Sequence, residues 1–423
     1  MASCMFIRGL SCLNVCSQEH RLLLSSRVIH KLYRIPSANI SHKDRIDEET
    51  KADKPAPYPY KTKRYRWIHY YYGQDSTIAR FDENTVFISV EGPPASNKTQ
   101  LAAGLADLLG MKHYEEPNLD PEYINDYGFD LRAFNKLLHR DAQHPDHELF
   151  LRDPTHPRAG LFQHRMLRIR FWQALDMELH LLSTGQGCIQ ERSHWSDVVF
   201  NEAMYKAGYI SKDIYDFYLR KRWNCFDRLA RPHVVIYIDT PKEKVLENIK
   251  KRNIPYEVNS PVWESNFVDT IIKCYKEKVL PEYEEHAYML TYDYQDNWDC
   301  EKIVRDLEEL DFVSEDMRGT RHEDWKFVPE DFEWDERRYE NIEFFNREMG
   351  HFELPSYDVP GYYYSDESLL AQGSFEKYLQ PRGYTGGYDP MKESKWRILL
   401  GLNGRNYYQE RMKWNHFRCQ WLN

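Results

Sequence analysis

The sequence predicts an α/β protein: a doubly wound, five-stranded parallel sheet around a phosphate-binding loop, with an extended N-terminal arm and an irregular, aromatic-rich C-terminal extension. Three observations carry this prediction. Short apolar segments between positions 86 and 292 alternate with stretches of helical periodicity, as in a parallel sheet covered on both faces. The first of them runs into Gly92, four residues, then Asn97-Lys98-Thr99, one glycine short of the Gly-x-x-x-x-Gly-Lys-Ser/Thr pattern of a P-loop. Finally, 166–183 sets Leu167, Phe171, Leu175, Leu179 and Leu182 on one face at spacings of three and four.

The elements follow in order. Val86–Val90 is the first strand, and the stretch "EGPPASNKTQ" from Glu91 to Gln100 turns it into a helix over Leu101–Leu109, with Leu101, Leu105 and Leu108 on one face and Gly110 beyond its end. Lys112–Tyr114 is a short second strand. The long helix over 166–183 stops at Gly185, a glycine C-cap position, and leads to a third strand over Gly187–Gln190. Val234–Ile238 and Tyr288–Tyr292 complete the sheet. Ligands of such sheets bind at the carboxyl ends of the strands, where the Gly92 loop sits.

Four regions result: 1–40 as a mitochondrial transit peptide, 41–84 as an arm, 85–312 as the P-loop domain, and 313–423 as an extension for subunit contacts. Before Asp44 there are six Lys or Arg and one acid, Glu19, with frequent serine, a basic and acid-poor composition that suits a transit peptide. A disordered basic tail is the plainer alternative. The arm sets Pro55, Pro57 and Pro59 at alternate positions, which favours an extended path. Lys61, Lys63, Arg64 and Arg66 interleave there with Tyr60, Tyr65 and Trp67, a pattern that suits a protein or membrane surface, or packing on its own domain. Residues 320–423 hold 22 aromatic residues among 104, with few aliphatics and little periodicity, so that they read as a segment lying across other surfaces rather than a core of their own.

Composition excludes several classes. The formal net charge is −10, which argues against nucleic-acid binding, because phosphates need a basic surface. No apolar run reaches the ~18 residues of a membrane span. The eight cysteines form no C-x-x-C pair, so zinc and iron–sulfur ligation have no support, and Cys188, Cys225, Cys274, Cys300 and Cys419 read as reduced thiols.

Lys98 and Thr99 match the P-loop residues that meet the terminal phosphates and Mg²⁺. The third strand ends in Glu191-Arg192-Ser193, where an acid could help hold Mg²⁺ and an arginine could pair with phosphate. Tyr114-Glu115-Glu116-Pro117 puts a carboxylate at the end of the second strand, where it could accept a hydroxyl proton. Together these elements, over roughly Val86 to Tyr294, resemble the deoxynucleoside kinases. The resemblance implies a kinase-like fold with Glu116 as the general base, Gln163 of Phe162-Gln163 reading the nucleobase, Glu191 and Arg192 on metal and phosphate, and Val245–Glu257 as the lid.

The chain departs from the family pattern at points that matter for transfer. Ala95 and Asn97 stand where the family loop has glycines, and Pro93 and Pro94 bring no N–H donor. Arg252 keeps an arginine in the lid, while Asn248, Lys250 and Ile254 stand where others would be. An arginine at a transferring phosphate can be worth ~10³-fold or more, so these losses are close to disabling. Longer stretches, "ALDMELHLLSTGQGCIQERSHWSDVVFNEAMYKAGYI" and "RPHVVIYIDTP", resemble the deoxynucleoside-kinase-like accessory subunits of mitochondrial complex I. That resemblance implies a non-catalytic subunit on the matrix side of the inner membrane. It would be peripheral to the bilayer, contact other subunits of the membrane arm, require no cofactor, and lie outside the electron path. Glu116 and Arg192 are then vestigial. Gly92, Asn97, Lys98, Thr99, Gln163, Glu191, Arg192 and Arg252 are left as the candidate site for ATP, ADP or a deoxynucleotide, with Thr99 and Glu191 on Mg²⁺ only if a Mg-nucleotide binds. An active mitochondrial deoxynucleoside kinase and a nucleotide-sensing module are the alternatives.

Overall fold

A computed structural model describes residues 40–46, 54–63, 65–124, 130–226, 229–312, 321–325, 331–347 and 359–363. The transit-peptide segment before position 40 and the extension beyond 363 lie outside the described residues. A short helix, α1 (Trp67–Tyr71), lies within the arm. There follow β1 (Phe87–Glu91), α2 (Lys98–Leu109), β2 (Lys112–Tyr114), α3 (Asp120–Tyr123), α4 (His147–Arg152), α5 (Ala159–Thr184) and β3 (Cys188–Glu191). Next come α6 (Val198–Lys206), α7 (Lys212–Phe226), β4 (Val234–Asp239), α8 (Lys242–Arg252), α9 (Pro255–Val258) and α10 (Phe267–Cys274). A π-helical turn, Tyr275–Val279, joins α10 to α11 (Leu280–His286), and β5 (Tyr288–Asp293), α12 (Cys300–Glu308) and α13 (Asp331–Arg347) complete the described chain.

The five strands form one sheet in the order β2-β3-β1-β4-β5, every neighbouring pair parallel. Each expected strand is present, shifted by no more than one residue at its ends. β1 and β3 are buried along their whole length, as strands covered on both faces must be. In β4 the side chains alternate: Val235 and Tyr237 join the core under α5, while Val234, Ile236 and Ile238 join the core under α2 and α12. The chain leaves β1 for one side of the sheet, and after β3 it crosses to the other side to form β4. The carboxyl ends of β1 and β3 therefore border the crevice at the switch point. In register, Val90 lies beside Glu191 and Ile236, and Tyr114 beside Gln190, which brings the ends of β1, β2 and β3 together.

α5 begins seven residues earlier than the apolar periodicity suggested, because its first turns bury polar side chains, Gln163 and Arg165 among them. It stops at Gly185, whose φ is +73°. A Cβ there would lie 2.0 Å from the Arg80 carbonyl oxygen, so both the left-handed backbone and the close approach call for glycine.

The C-terminal extension is less irregular than its composition suggested. α13 is a 17-residue helix that buries Trp334, Asp335, Arg338 and Asn341. Its inward face mixes one indole with ionic and amide groups, which hid the helical period from a reading of apolar residues. Trp334 and Trp325 pack with Phe81, Phe87, Leu181 and Cys188 at the amino ends of β1 and β3. Arg338 pairs with Asp75 at 2.7 Å, Asp75 pairs with Arg80 at 2.6 Å, and Asp335 accepts from the Thr77 N–H at 2.9 Å. The arm, α5 and α13 are thus joined by buried charge as well as by apolar contact.

Candidate functional site

The loop between β1 and α2 keeps a phosphate-binding shape without its second glycine. Gly92 has φ +152°, Ala95 +56° and Asn97 +60°. Alanine and asparagine hold the left-handed conformations that glycine adopts freely, at a cost for alanine of ~1 kcal/mol or more. A Cβ on Gly92 would meet the Ile238 carbonyl oxygen at 3.0 Å and Ser96 Oγ at 3.1 Å, so the one remaining loop glycine is needed for the turn. Among the described residues, the N–H groups of Ala95, Ser96 and Asn97 donate to no acceptor. Successive free N–H groups ahead of a helix N-terminus make an anion cradle, so the residues present fit a phosphate group.

Lys98 is buried and folded back on the loop: Nζ donates to the Pro93 carbonyl at 2.9 Å and to Ser96 Oγ at 3.2 Å. Burial, with Arg192 adding repulsion, pulls its pKa down to about 7. Thr99 Oγ1 donates to Glu191 Oε2 at 2.7 Å, and His113 Nε2 meets Glu191 Oε1 at 2.8 Å. The two groups that would hold Mg²⁺ are therefore adjacent, and His113, which the sequence did not single out, is a second partner of the Glu191 carboxylate.

Glu116 lies between two guanidiniums: its Oε1 pairs with Arg170 at 2.6 Å and with Arg192. Burial would raise its carboxyl, but Arg192 and Arg170 outweigh burial and hold it below the ordinary carboxylate range. A carboxylate with so little proton affinity is a poor base. Arg192 has φ +54° and also reaches the Gly92 carbonyl at 3.0 Å and Tyr275 Oη at 3.3 Å. Its guanidinium is used by the loop and the carboxylate around it. Arg170 continues the network to Asp197 at 2.8 Å, and Asp197 accepts from Gln163 at 2.8 Å and Tyr218 at 2.6 Å. Gln163, expected at a nucleobase, is buried with its amide N–H bonded to that carboxylate.

Arg252 stands apart. It is half-exposed at the end of α8 and pairs with Glu257 at 3.6 Å, with no polar contact to the loop among the described residues. The lid helix touches the loop through Asn248 instead, whose Nδ2 donates to the Ala95 carbonyl at 2.8 Å. Beyond it, Asn97 Nδ2 donates to the Asp296 carbonyl at 3.1 Å. Asp296 lines an open cleft of about 570 Å³ at the ends of β4 and β5, with Thr240, Lys244 and Tyr294.

Besides His113 and Arg170, the sequence reading assigned no role to Glu91. Glu91 ends β1 and is fully buried, its carboxylate accepting from Ser89 at 2.7 Å, the Ser193 N–H at 2.8 Å, and Tyr275 and Tyr283 at 3.2 Å. Its signal was present: an acid closing an apolar strand immediately before the loop glycine.

With this geometry established, comparison with known proteins gives the ancestry. The deoxynucleoside kinase family model matches residues 88–314, more than half of the chain. The chain belongs to the deoxynucleoside kinase family. Its relatives within this family fall into two groups. The chain is 34% identical over 257 residues to mouse (Mus musculus) NADH dehydrogenase (ubiquinone) 1 alpha subcomplex subunit 10, mitochondrial, covering 60% of this chain and 69% of the mouse protein. Identity to the cattle (Bos taurus) protein of the same name is 33% over 251 residues, covering 59% and 71%. Deoxyguanosine kinase of Dictyostelium discoideum is 23% identical over 237 residues, covering 56% and 74%. This member of the kinase family is thus more similar to those two respiratory subunits than to that enzyme.

Proposed function

We propose that this chain is a non-catalytic accessory subunit of mitochondrial complex I, on the matrix side of the inner membrane, where it supports assembly or stability through contacts with other subunits. The observation that carries the reading is Glu116 locked between Arg170 and Arg192 in a chain similar to complex I subunits over 60% of its length. The kinase scaffold is used for packing, while the groups needed for transfer satisfy one another. Residues 1–40 serve as the transit peptide and 313–423 as contact surface. Native gel electrophoresis of mitochondria tests this: the protein co-migrates with complex I and its level falls when the complex is absent. Recovery only as a free soluble species contradicts it.

A second reading rests on the free N–H groups of Ala95, Ser96 and Asn97. They support binding of a nucleotide by its phosphates, with Lys98 and Thr99 beside them and the cleft at Asp296 open to the rest of the molecule. Binding without transfer would let nucleotide supply tune the stability of the subunit. A ligand specific to the folded state raises the unfolding midpoint, so thermal unfolding with ATP, ADP and deoxynucleotides, with and without Mg²⁺, measures it directly. No shift at millimolar ligand leaves the loop without a ligand.

A further inference from the structure

The arm has two unlike faces. Inward, Tyr58, Tyr60 and Tyr65 are buried, and the Arg338 guanidinium of α13 lies 4.0 Å over the Tyr65 ring and 4.5 Å over the Tyr58 ring. The Tyr58 N–H donates to the Ser183 carbonyl of α5 at 3.0 Å, and Tyr65 stacks on His69 at 5.2 Å. Outward, Trp67, Ile68, Tyr71 and Tyr72 are 52, 38, 62 and 63% exposed. Two pairs at i,i+4, Trp67 with Tyr71 and Ile68 with Tyr72, put these side chains at one tip, and the rings of Trp67, Tyr71 and Tyr72 pack edge to face. Neither the indole N–H nor the two phenol groups hydrogen-bond within the described residues. Lys63 and Arg66 are exposed, four and one positions before Trp67; the Lys63 ammonium lies 5.3 Å from the centre of the Tyr58 ring, and among the described residues no carboxylate pairs with either. On a chain of net charge −10 this is a local basic and aromatic island.

We infer that this platform docks on an anionic phospholipid surface. Indole and phenol rings with apolar bodies and unpaired polar tips suit the headgroup boundary, and lysine and arginine beside them suit its negative charge. Arg338 and the buried tyrosines hold the tip in place before it binds, so little ordering is lost on contact. The inference does not rest on membership of complex I, and either can fail alone.

Sedimentation of the full chain with lipid vesicles tests it. The protein binds phosphatidylcholine vesicles containing phosphatidylserine and not vesicles of phosphatidylcholine alone. Lys63→Gln and Arg66→Gln each lower the partition coefficient about fivefold, and added salt lowers it further. Trp67→Ala/Tyr71→Ala/Tyr72→Ala, confined to exposed side chains, lowers binding by more while leaving the unfolding midpoint unchanged. Absence of binding to the anionic vesicles overturns the inference. So does equal binding by the triple variant, which would assign attachment to another basic segment, or capture by an acidic protein surface with no vesicle binding.

Discussion

At the carboxyl end of the sheet, Arg170 and Arg192 share the Glu116 carboxylate; at the amino end, Arg80 and Arg338 share that of Asp75. The two clusters are built alike, from buried guanidiniums and hydroxyl partners, but they differ in what they connect. The first lies among the residues to which the family resemblance assigns phosphate transfer, and it closes them on one another. The second joins the arm and α13, both outside the span that the kinase model matches, to α5 within it. Neither cluster is evidence of net stabilisation by itself, since burying charge is costly and pairing it returns roughly that cost. The difference is one of reach: the first cluster ties together groups within the matched span, and the second fastens segments outside it to α5.

Breaking either cluster has a large expected effect. Arg338→Met leaves Asp75 with one cationic partner and removes the cation over Tyr58 and Tyr65, and urea unfolding is expected to show a loss of about 3–5 kcal/mol. A change within error would mean that Arg338 adds nothing measurable to the hold between the arm and α13. Arg170→Met is expected to cost about 3–5 kcal/mol in the same assay, because Glu116 keeps Arg192 but the fully buried Asp197 keeps only the neutral Gln163 and Tyr218. A change within error would mean that the Glu116 and Asp197 carboxylates are held without Arg170.

Lys98 gives a pH test of the loop. Its folded pKa of about 7 lies below the unfolded value of 10.5, so between these values the unfolded chain holds more protons. Stability should therefore rise with pH across that window, by at most ~1.4 kcal/mol per unit, and Lys98→Met should flatten the rise. A phosphate ligand favours the charged amine, so nucleotide affinity should fall as pH climbs above 7; calorimetric titration at several pH values reads this. The smallest effect is a gain: Ala95→Gly relieves a left-handed alanine and should stabilise by ~1 kcal/mol in thermal unfolding, whereas a loss would show that the methyl contact with Val245 and Ile249 outweighs the strain.

The sheet was legible because short apolar runs and two glycine stops, Gly110 and Gly185, agree locally with the fold. α13 was not, because its buried face carries Asp335 and Arg338 and so breaks the apolar period. At the site, the motif residues could be placed on the correct strand ends but not their pairings. Whether Glu116 faces a substrate or two arginines depends on Arg170, which lies 54 positions away in an unremarked helix turn. Arg252 shows the same limit: position in the lid motif does not set reach, and in this structure it pairs with Glu257.

The most direct test of the central claim is phosphoryl transfer. The purified chain, supplied with Mg-ATP and each deoxynucleoside, is compared with Lys98→Ala. The closed Glu116–Arg192–Arg170 cluster predicts the same background in both. Turnover by the natural chain that disappears in Lys98→Ala would contradict it.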